Sequence, residues 1–206
     1  MASNIEMVFP SYIYRGRLGP KTARRLNRDL AQEIANMEEI DDLGRTWSQE
    51  RYIGGYTSYS SMAQLHHTSP NFGELKKLLE PHVARFSQAL KWDLRGRKLE
   101  MSTCWANSMG FGTHHTLHTH PLCVISGVYY VNLPSGSSPF KIEDPRMGYL
   151  MAAPPRKASA PAHMQNYMEI HSRPGEFILF ESWMRHEGPP HRGKQRRLSI
   201  SFNYEM

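Results

Sequence analysis

The sequence predicts a mainly β protein with helices in its N-terminal part. Amphipathic stretches with helical spacing occur only before about residue 92. From about residue 98, short apolar or alternating runs follow one another, separated by glycine and proline, as in a sheet. The length of 206 residues suits one core and one domain, spanning 1–206. We expect 1–97 to form helical and loop support, and 98–206 to form the β core.

Two helices are predicted in the supporting part. The first, 21–40, has apolar residues on one face: Leu26, Leu30, Ile34 and Met37. The second, 71–92, repeats the pattern with Leu75, Leu78, Leu79, Val83, Phe86 and Leu90. Its N-cap is Ser69 or Asn71. Pro81 lies within the pattern, so we expect it to end or kink the first part of this helix.

Strands are predicted in five runs: LEMSTCWANS, CVISGVYYVNLP, FKIEDPR, YMEIHSRPGEFILF and RRLSISFNYEM. The last has one apolar face and one polar face, the polar one carrying Arg197, Ser199, Ser201 and Asn203. That face either meets water at a sheet edge or lines a pocket in a barrel. Residues 45–62 predict turns with one short strand. The long connection 143–166 predicts either a disordered excursion or a flap over a site.

Composition narrows the classes of partner. The net charge of +6 and pI of 9.4 would suit a polyanion, but the 25 basic residues are spread along the chain, so we do not expect nucleic-acid binding. The two cysteines, Cys104 and Cys123, imply neither a disulfide framework nor a zinc ribbon. No segment is apolar for long enough to span a bilayer. We expect a cytoplasmic protein without membrane contact, and leave its oligomeric state open, a homodimer through the N-terminal helices included.

The stretch HHTLHTHP contains the strongest chemical signal. In a strand, His118 and His120 would point the same way and could share one metal ion, whereas a polar loop at a strand end is the plain alternative. A second feature favours the metal. An apolar strand, 177–180, leads to His186, and Arg197 begins the next predicted strand. A distant histidine and an arginine suit a metal with an anionic co-substrate beside it.

Five motifs in this order resemble one enzyme family: HxH, SGVYY, DPR, FxSWxxH and RxSISFN. They are similar to the Fe(II)- and 2-oxoglutarate-dependent oxygenases, in particular to a branch found in marine bacteria and phages that is distantly similar to prolyl hydroxylases. The resemblance covers about 100–206. It implies a double-stranded β-helix, or jelly roll, as the catalytic core of 98–206, with Fe(II) near its open end.

The resemblance also implies the metal ligands. The first ligand corresponds to His118 and the distal one to His186. Most of the superfamily has Asp or Glu where this chain has His120, so three neutral imidazoles would leave the ion its full charge. Glu143 or Asp144 could replace His120 only if the following strand bent toward the metal.

The co-substrate residues follow from the same resemblance. Arg197 corresponds to the arginine that grips the distal carboxylate of 2-oxoglutarate, with Ser199 as its companion. Tyr130 would offer its hydroxyl to that carboxylate, or Tyr129 if the register differs by one residue. Asn107 is a further contact from the preceding strand.

The implied activity is that of a dioxygenase, most simply a hydroxylase, that uses O2 and oxidises 2-oxoglutarate to succinate and CO2. A cupin-like three-histidine metal enzyme or metal-binding protein without 2-oxoglutarate would keep the histidines but would not need Arg197. A jelly-roll module binding carbohydrate or nucleic acid would need neither. The substrate, a small molecule or a protein side chain, is left open because one fold serves many substrates.

Overall fold

Two antiparallel sheets form the body of the protein in the computed structural model, which describes residues 3–206. The larger sheet has the order β1 (Ile13–Arg17), β8 (Glu176–Glu181), β5 (Ile125–Asn132), β10 (Arg197–Glu205), β3 (Glu100–Met109) and β2 (Gly55–Thr57). The smaller has the order β4 (His115–His118), β9 (His186–Gly188), β6 (Phe140–Glu143) and β7 (Tyr167–Ile170). From β3 onward the chain passes repeatedly between the sheets. This is a double-stranded β-helix, as predicted.

In the described part of the chain, four α-helices accompany the sheets: α1 (Pro20–Ile40), α2 (Asp42–Arg51), α3 (Leu65–Thr68) and α4 (Pro70–Ala89). The helix predicted over 21–40 corresponds to α1, and Ser69 caps α4 by accepting a hydrogen bond from the Phe72 amide at 3.4 Å. The expectation that Pro81 could end the first part of this helix is wrong, because α4 continues through it. Pro81 and Lys77 are exposed, so water can solvate the Lys77 carbonyl that loses its partner.

The prediction of turns from residue 45 onward missed most of α2. Asp41 explains this helix, since its carboxylate accepts the Gly44 amide at 2.9 Å at the helix start. The same carboxylate accepts hydrogen bonds from Tyr56 of β2, at 2.9 Å, and from Ser61. The capping carboxylate is thus held by hydrogen bonds from residues later in the chain. The spacing of residues within the helix does not predict such contacts. The single short strand expected within 45–62 is β2.

The larger sheet has two different faces. One packs against the helices, with Phe202 and Ile200 of β10 in the same cluster as Leu26 of α1 and Phe72 of α4. The other faces the smaller sheet, where a second cluster contains Val128, Tyr130, Phe140, Ile142, Ile170, Ile178, Phe180 and Met184. The polar side of β10 therefore lies between the sheets and not at a water-facing edge.

The strand expected to carry both His118 and His120 ends at His118. The pairing of β4 with β9 is irregular, joining His115 to Gly188 and His118 to His186, three residues apart on one strand and two on the other. His120 lies in the following turn, where its amide donates to the Ser182 carbonyl at 3.0 Å. A bulge and a turn, not strand alternation, bring these imidazoles together.

The connection after β6 contains two short 3-10 turns, Met147–Tyr149 and Ala162–Met164. Tyr149 and Met151 in it are largely exposed. Within 3–206, none of the helices is long and apolar enough to cross a membrane.

Candidate metal centre and co-substrate site

Three imidazoles converge at one end of the cleft between the sheets. His118 stands at the end of β4, His186 at the start of β9, and His120 in the turn after β4. One ring nitrogen of each lies within 4.8 Å of the others. The Nε2 atoms of His118 and His120 are 3.1 Å apart. The structure thus assembles the three histidines that the sequence singled out.

The opposite ring nitrogens are held by acceptors. His118 Nδ1 donates to the Thr116 carbonyl at 2.6 Å, and His186 Nδ1 donates to the Met184 carbonyl at 2.9 Å. Because a carbonyl oxygen only accepts, both rings carry their proton on Nδ1 and keep a free lone pair on Nε2.

The Nδ1 atom of His120 contacts two side chains, whereas those of His118 and His186 each contact a backbone carbonyl. His120 Nδ1 lies 2.6 Å from Asn203 Oδ1 and 2.8 Å from Ser126 Oγ. Asn203 Nδ2 donates to Thr103 Oγ1 at 2.9 Å, which directs the amide oxygen toward the imidazole. His120 therefore also presents an unprotonated Nε2. Ser126 and Asn203 lie within the motifs SGVYY and RxSISFN, but the sequence alone indicated no role for either residue at the site.

Burial keeps these rings neutral. Desolvation lowers the pKa of His118, lowers that of His120 to about 4 and lowers that of His186 to about 2. Neutral imidazole is the form that binds a metal. The three candidate ligands are therefore in the form that binds a metal at neutral pH.

The donor set fits a divalent transition metal. Two nitrogens about 2.0–2.1 Å from one ion, at a right angle, lie about 2.9 Å apart, and the observed separation is 3.1 Å. Two lone pairs at that distance repel one another unless a cation lies between them. Glu143 instead bonds Arg185 at 2.8 Å, and Asp144 bonds Arg146 at 2.7 Å. Neither acid joins the histidine group.

Arg197 lies in the same cleft, at the opposite end of β10 from Asn203. Its side chain is buried, and Nη1 donates to Ser199 Oγ at 3.1 Å and to Met109 Sδ at 3.0 Å. Within residues 3–206 it has no carboxylate partner, and its Nε makes no hydrogen bond. A buried cation of this kind is costly unless an anion compensates it.

The register places Tyr130 on the inner face of β5 and Tyr129 on the outer face. The Arg197 guanidinium lies 5.2 Å from the centre of the Tyr130 ring. Burial raises the pKa of Tyr130, and the nearby Arg197 and Ser172 side chains oppose that rise, although the hydroxyl makes no direct hydrogen bond of good geometry within 3–206. The Tyr129 hydroxyl instead donates to Asn27 of α1 at 2.5 Å. Only Tyr130 faces the arginine.

Asn107 lines the cleft, but its amide is already engaged. Its Oδ1 accepts from Thr57 Oγ1 at 2.9 Å, and its Nδ2 donates to Ser201 Oγ at 3.0 Å. One N–H of the amide is left for a further contact.

His115 is a cleft residue for which strand alternation gave no signal. The β4 irregularity turns it toward the cleft, although it is three residues from His118. Its ring centre lies 4.5 Å from that of Tyr52, and burial lowers its pKa to about 3. A neutral, polar ring thus stands between the metal group and Arg197.

The cleft itself has a volume of about 60 Å³. Its polar lining comes from the histidines, Arg197 and the serines of β10, and its apolar lining from Trp105, Val128, Phe140 and Phe180. A double-stranded β-helix with a histidine group and a buried arginine in one cleft is typical of metal-dependent enzymes that take an anionic co-substrate.

Residues 103–203 match the family described as "Putative 2OG-Fe(II) oxygenase". This matched segment, 101 of the 206 residues, belongs to the family of 2-oxoglutarate- and Fe(II)-dependent oxygenases. No curated protein is significantly similar to the chain in sequence.

Several solved structures share the fold. A Pseudomonas putida prolyl-4-hydroxylase is 13% identical, with a TM-score of 0.61, over 95% of this chain and 92% of its own. The carbocyclase SnoK from nogalamycin biosynthesis is 12% identical, with a TM-score of 0.64, over 94% and 79%. HygX from Streptomyces hygroscopicus, solved with nickel, 2-oxoglutarate and hygromycin B, is 14% identical, with a TM-score of 0.60, over 95% and 83%.

Proposed function

We propose that the protein is a hydroxylase in which His118, His120 and His186 hold Fe(II) and Arg197 binds the distal carboxylate of 2-oxoglutarate. One observation carries this proposal. A single cleft has three neutral imidazoles with free Nε2 atoms at one end and a buried arginine without an acid partner at the other. A divalent cation would bind the free Nε2 atoms at the first end. A carboxylate of a dianion would neutralise the buried arginine at the second end.

Arg197 suits the carboxylate because its planar fork can donate two parallel hydrogen bonds. Ser199 orients the guanidinium by accepting a hydrogen bond from Nη1. Met109 of β3 restrains it by accepting a second hydrogen bond from the same atom through its sulfur. The Tyr130 hydroxyl, buried beside the guanidinium, would donate to the same carboxylate. Asn107 would add its remaining N–H from β3.

When bound, Fe(II) and 2-oxoglutarate would supply O2-dependent oxidation of a C–H bond, with succinate and CO2 as co-products. The chain's own residues position these groups and exclude water. Asn203 and Ser126 fix the His120 ring. Trp105 and Phe180 provide apolar walls that strengthen charge interactions within the cleft. His115 adds a neutral polar group between the two ends.

Hydroxylation is proposed as the outcome because the prolyl-4-hydroxylase is matched over 92% of its own chain, with a TM-score of 0.61. The substrate would be a small molecule or a protein side chain that enters at the metal end. We also propose a cytoplasmic location, supported by two cysteines that are both free thiols. Cell fractionation would test the location.

An anaerobic titration with Fe(II) and then 2-oxoglutarate tests the main proposal. We expect a visible metal-to-ligand charge-transfer band in the wild type, and loss of the band in His186→Ala and Arg197→Ala. His114→Ala is the matched control, since this histidine is exposed and its Nδ1 contacts only the Gly112 carbonyl at 3.4 Å. Iron binding without a band would favour a three-histidine enzyme that does not use 2-oxoglutarate. No metal binding would refute the proposal.

A further inference from the structure

A second, smaller cavity of about 30 Å³ lies beside the C-terminal ends of β5 and β7. It is lined by Tyr130 at the end of β5, by the loop before β6, which includes Ser138, and by Ser172 after β7. Phe140 lines both this cavity and the main cleft. Phe140 therefore separates the two spaces, and Tyr130 lines the smaller one with its ring 5.2 Å from the Arg197 guanidinium.

Three buried hydroxyls surround this cavity. Tyr130 OH, Ser138 Oγ and Ser172 Oγ are all inaccessible to solvent, and none has a hydrogen-bond partner in the part of the chain that the structure describes. A buried polar group left without a partner costs about 1–3 kcal/mol. By contrast, Ser137 beside them already donates to the Pro134 carbonyl at 2.7 Å. Three such groups around one cavity indicate a site that holds a polar molecule.

The cavity has room for water. A polar cavity needs about 10–15 Å³ of such volume for each water molecule, and each water needs two to four polar partners. The volume of about 30 Å³ and the three hydroxyls meet both conditions for one or two molecules. Ordered water there would connect the serines to the tyrosine.

Tyr130 connects this site to Arg197. Tyr130 and Ser199 are register partners on β5 and β10, and the guanidinium lies 5.2 Å from the Tyr130 ring centre. The tyrosine has one torsion that decides where its hydroxyl proton points. A hydrogen bond accepted from the cavity side would leave the Tyr130 proton free to point at a carboxylate held by Arg197.

We infer that Ser138 and Ser172, through water in this cavity, are positioning residues that hold the Tyr130 hydroxyl as a donor to the distal carboxylate of a 2-oxo dicarboxylic acid. The inference rests on the proposed function. It assigns a role in co-substrate affinity to two serines that do not line the main cleft.

The test is a double-mutant cycle on the affinity for 2-oxoglutarate. The Kd is measured by anaerobic calorimetry on full-length protein loaded with Fe(II). Ser138→Ala and Ser172→Ala should each weaken binding about threefold to tenfold, the range for one hydrogen bond. Tyr130→Phe should weaken it by at least as much. In the Tyr130→Phe background, either serine substitution should then have no further effect, because the hydroxyl that the serines hold is gone.

Ser102→Ala is the matched control. It also removes a buried hydroxyl without a partner in 3–206, but on β3 and outside both cavities. It should leave the Kd unchanged. Ser172→Thr keeps the hydroxyl at a half-buried position and should retain wild-type affinity. If Ser138→Ala does not fold, the Ser172 arm of the cycle is sufficient.

The outcomes separate the two proposals. Serine effects that persist in full in the Tyr130→Phe background would mean that the serines act on packing, and would overturn this inference alone. Unchanged Kd values in both serine variants would do the same. A wild-type protein that binds Fe(II) but not 2-oxoglutarate would overturn the proposed function and this inference with it.

Discussion

Replacing Arg197 with methionine should strongly weaken co-substrate binding without destabilising the protein. Methionine retains an unbranched, apolar side chain beside Met109 and removes only the guanidinium. Arg197 is 5% exposed, and within residues 3–206 its side chain donates hydrogen bonds to one hydroxyl and one thioether, with the Tyr130 ring beside it. The charge is thus poorly compensated by the fold itself.

The effect on affinity follows from the burial of this charge. Removing one partner of a buried, hydrogen-bonded charge pair costs about 2–5 kcal/mol. This corresponds to a Kd for 2-oxoglutarate roughly 30-fold to 4,000-fold weaker. The affinity for Fe(II) should change less than threefold, since Arg197 is not among the metal-binding group.

The same substitution should increase the free energy of unfolding, although it weakens 2-oxoglutarate binding. A buried cation without an acid partner opposes folding, and apolar replacement of buried charges is often neutral or stabilising. We expect the ligand-free variant to be at least as stable as the wild type, with a gain of about 1 kcal/mol, or about 2–4 °C in Tm. If Arg197 instead formed an ion pair that stabilised the fold, the substitution would lower the Tm.

The assay is anaerobic calorimetry for 2-oxoglutarate combined with thermal unfolding of the ligand-free protein. Arg196→Met is the matched control, because Arg196 is the neighbouring arginine but is half exposed and bonds Glu38 at 2.8 Å. The reasoning is refuted if Arg197→Met binds 2-oxoglutarate within threefold of the wild type, or if both arginine variants lose affinity equally. A lower Tm in Arg197→Met alone would refute the argument about its charge.

Three further predictions concern the histidines. His186→Ala should weaken Fe(II) binding by at least about 100-fold, because a ligand is lost; a smaller loss in anaerobic metal titration would show that this imidazole is not a ligand. Asn203→Leu should weaken Fe(II) binding about 10-fold to 100-fold, since it removes the acceptor that orients His120, and unchanged affinity would contradict that role. His66 is buried, and desolvation, with His67 and Lys76 nearby, lowers its pKa to about 4. Its contribution to stability is therefore complete above pH 6.5 and is lost as pH falls toward 4. The Tm of His66→Gln should fall by about 2–4 °C less than that of the wild type between pH 6.5 and 4, which corresponds to roughly 1 kcal/mol after allowing for solvent screening. An equal pH dependence of Tm in both proteins would contradict this role of His66.

Some of the fold could be predicted because it depends on local periodicity. The spacing of Leu26, Leu30 and Ile34 predicts α1, and the alternation in 197–205 predicts β10 with its two faces. By contrast, α2 begins at a cap shared with Tyr56, and α4 continues through Pro81 because that face of the helix is exposed. Capping and solvation of a backbone carbonyl depend on the surroundings, which local spacing does not describe.

The amino-acid sequence by itself determined which residue types could perform the chemistry: three histidines able to bind a metal, and an arginine on a polar strand face. Only the tertiary structure decided how they meet. The β4 irregularity brings His115 into the cleft, a turn supplies His120, and the β5 register directs Tyr130 inward and Tyr129 outward. The identity of a side chain is a local property, whereas register, bulges and the pairing of His120 Nδ1 with Asn203 depend on which strands lie side by side.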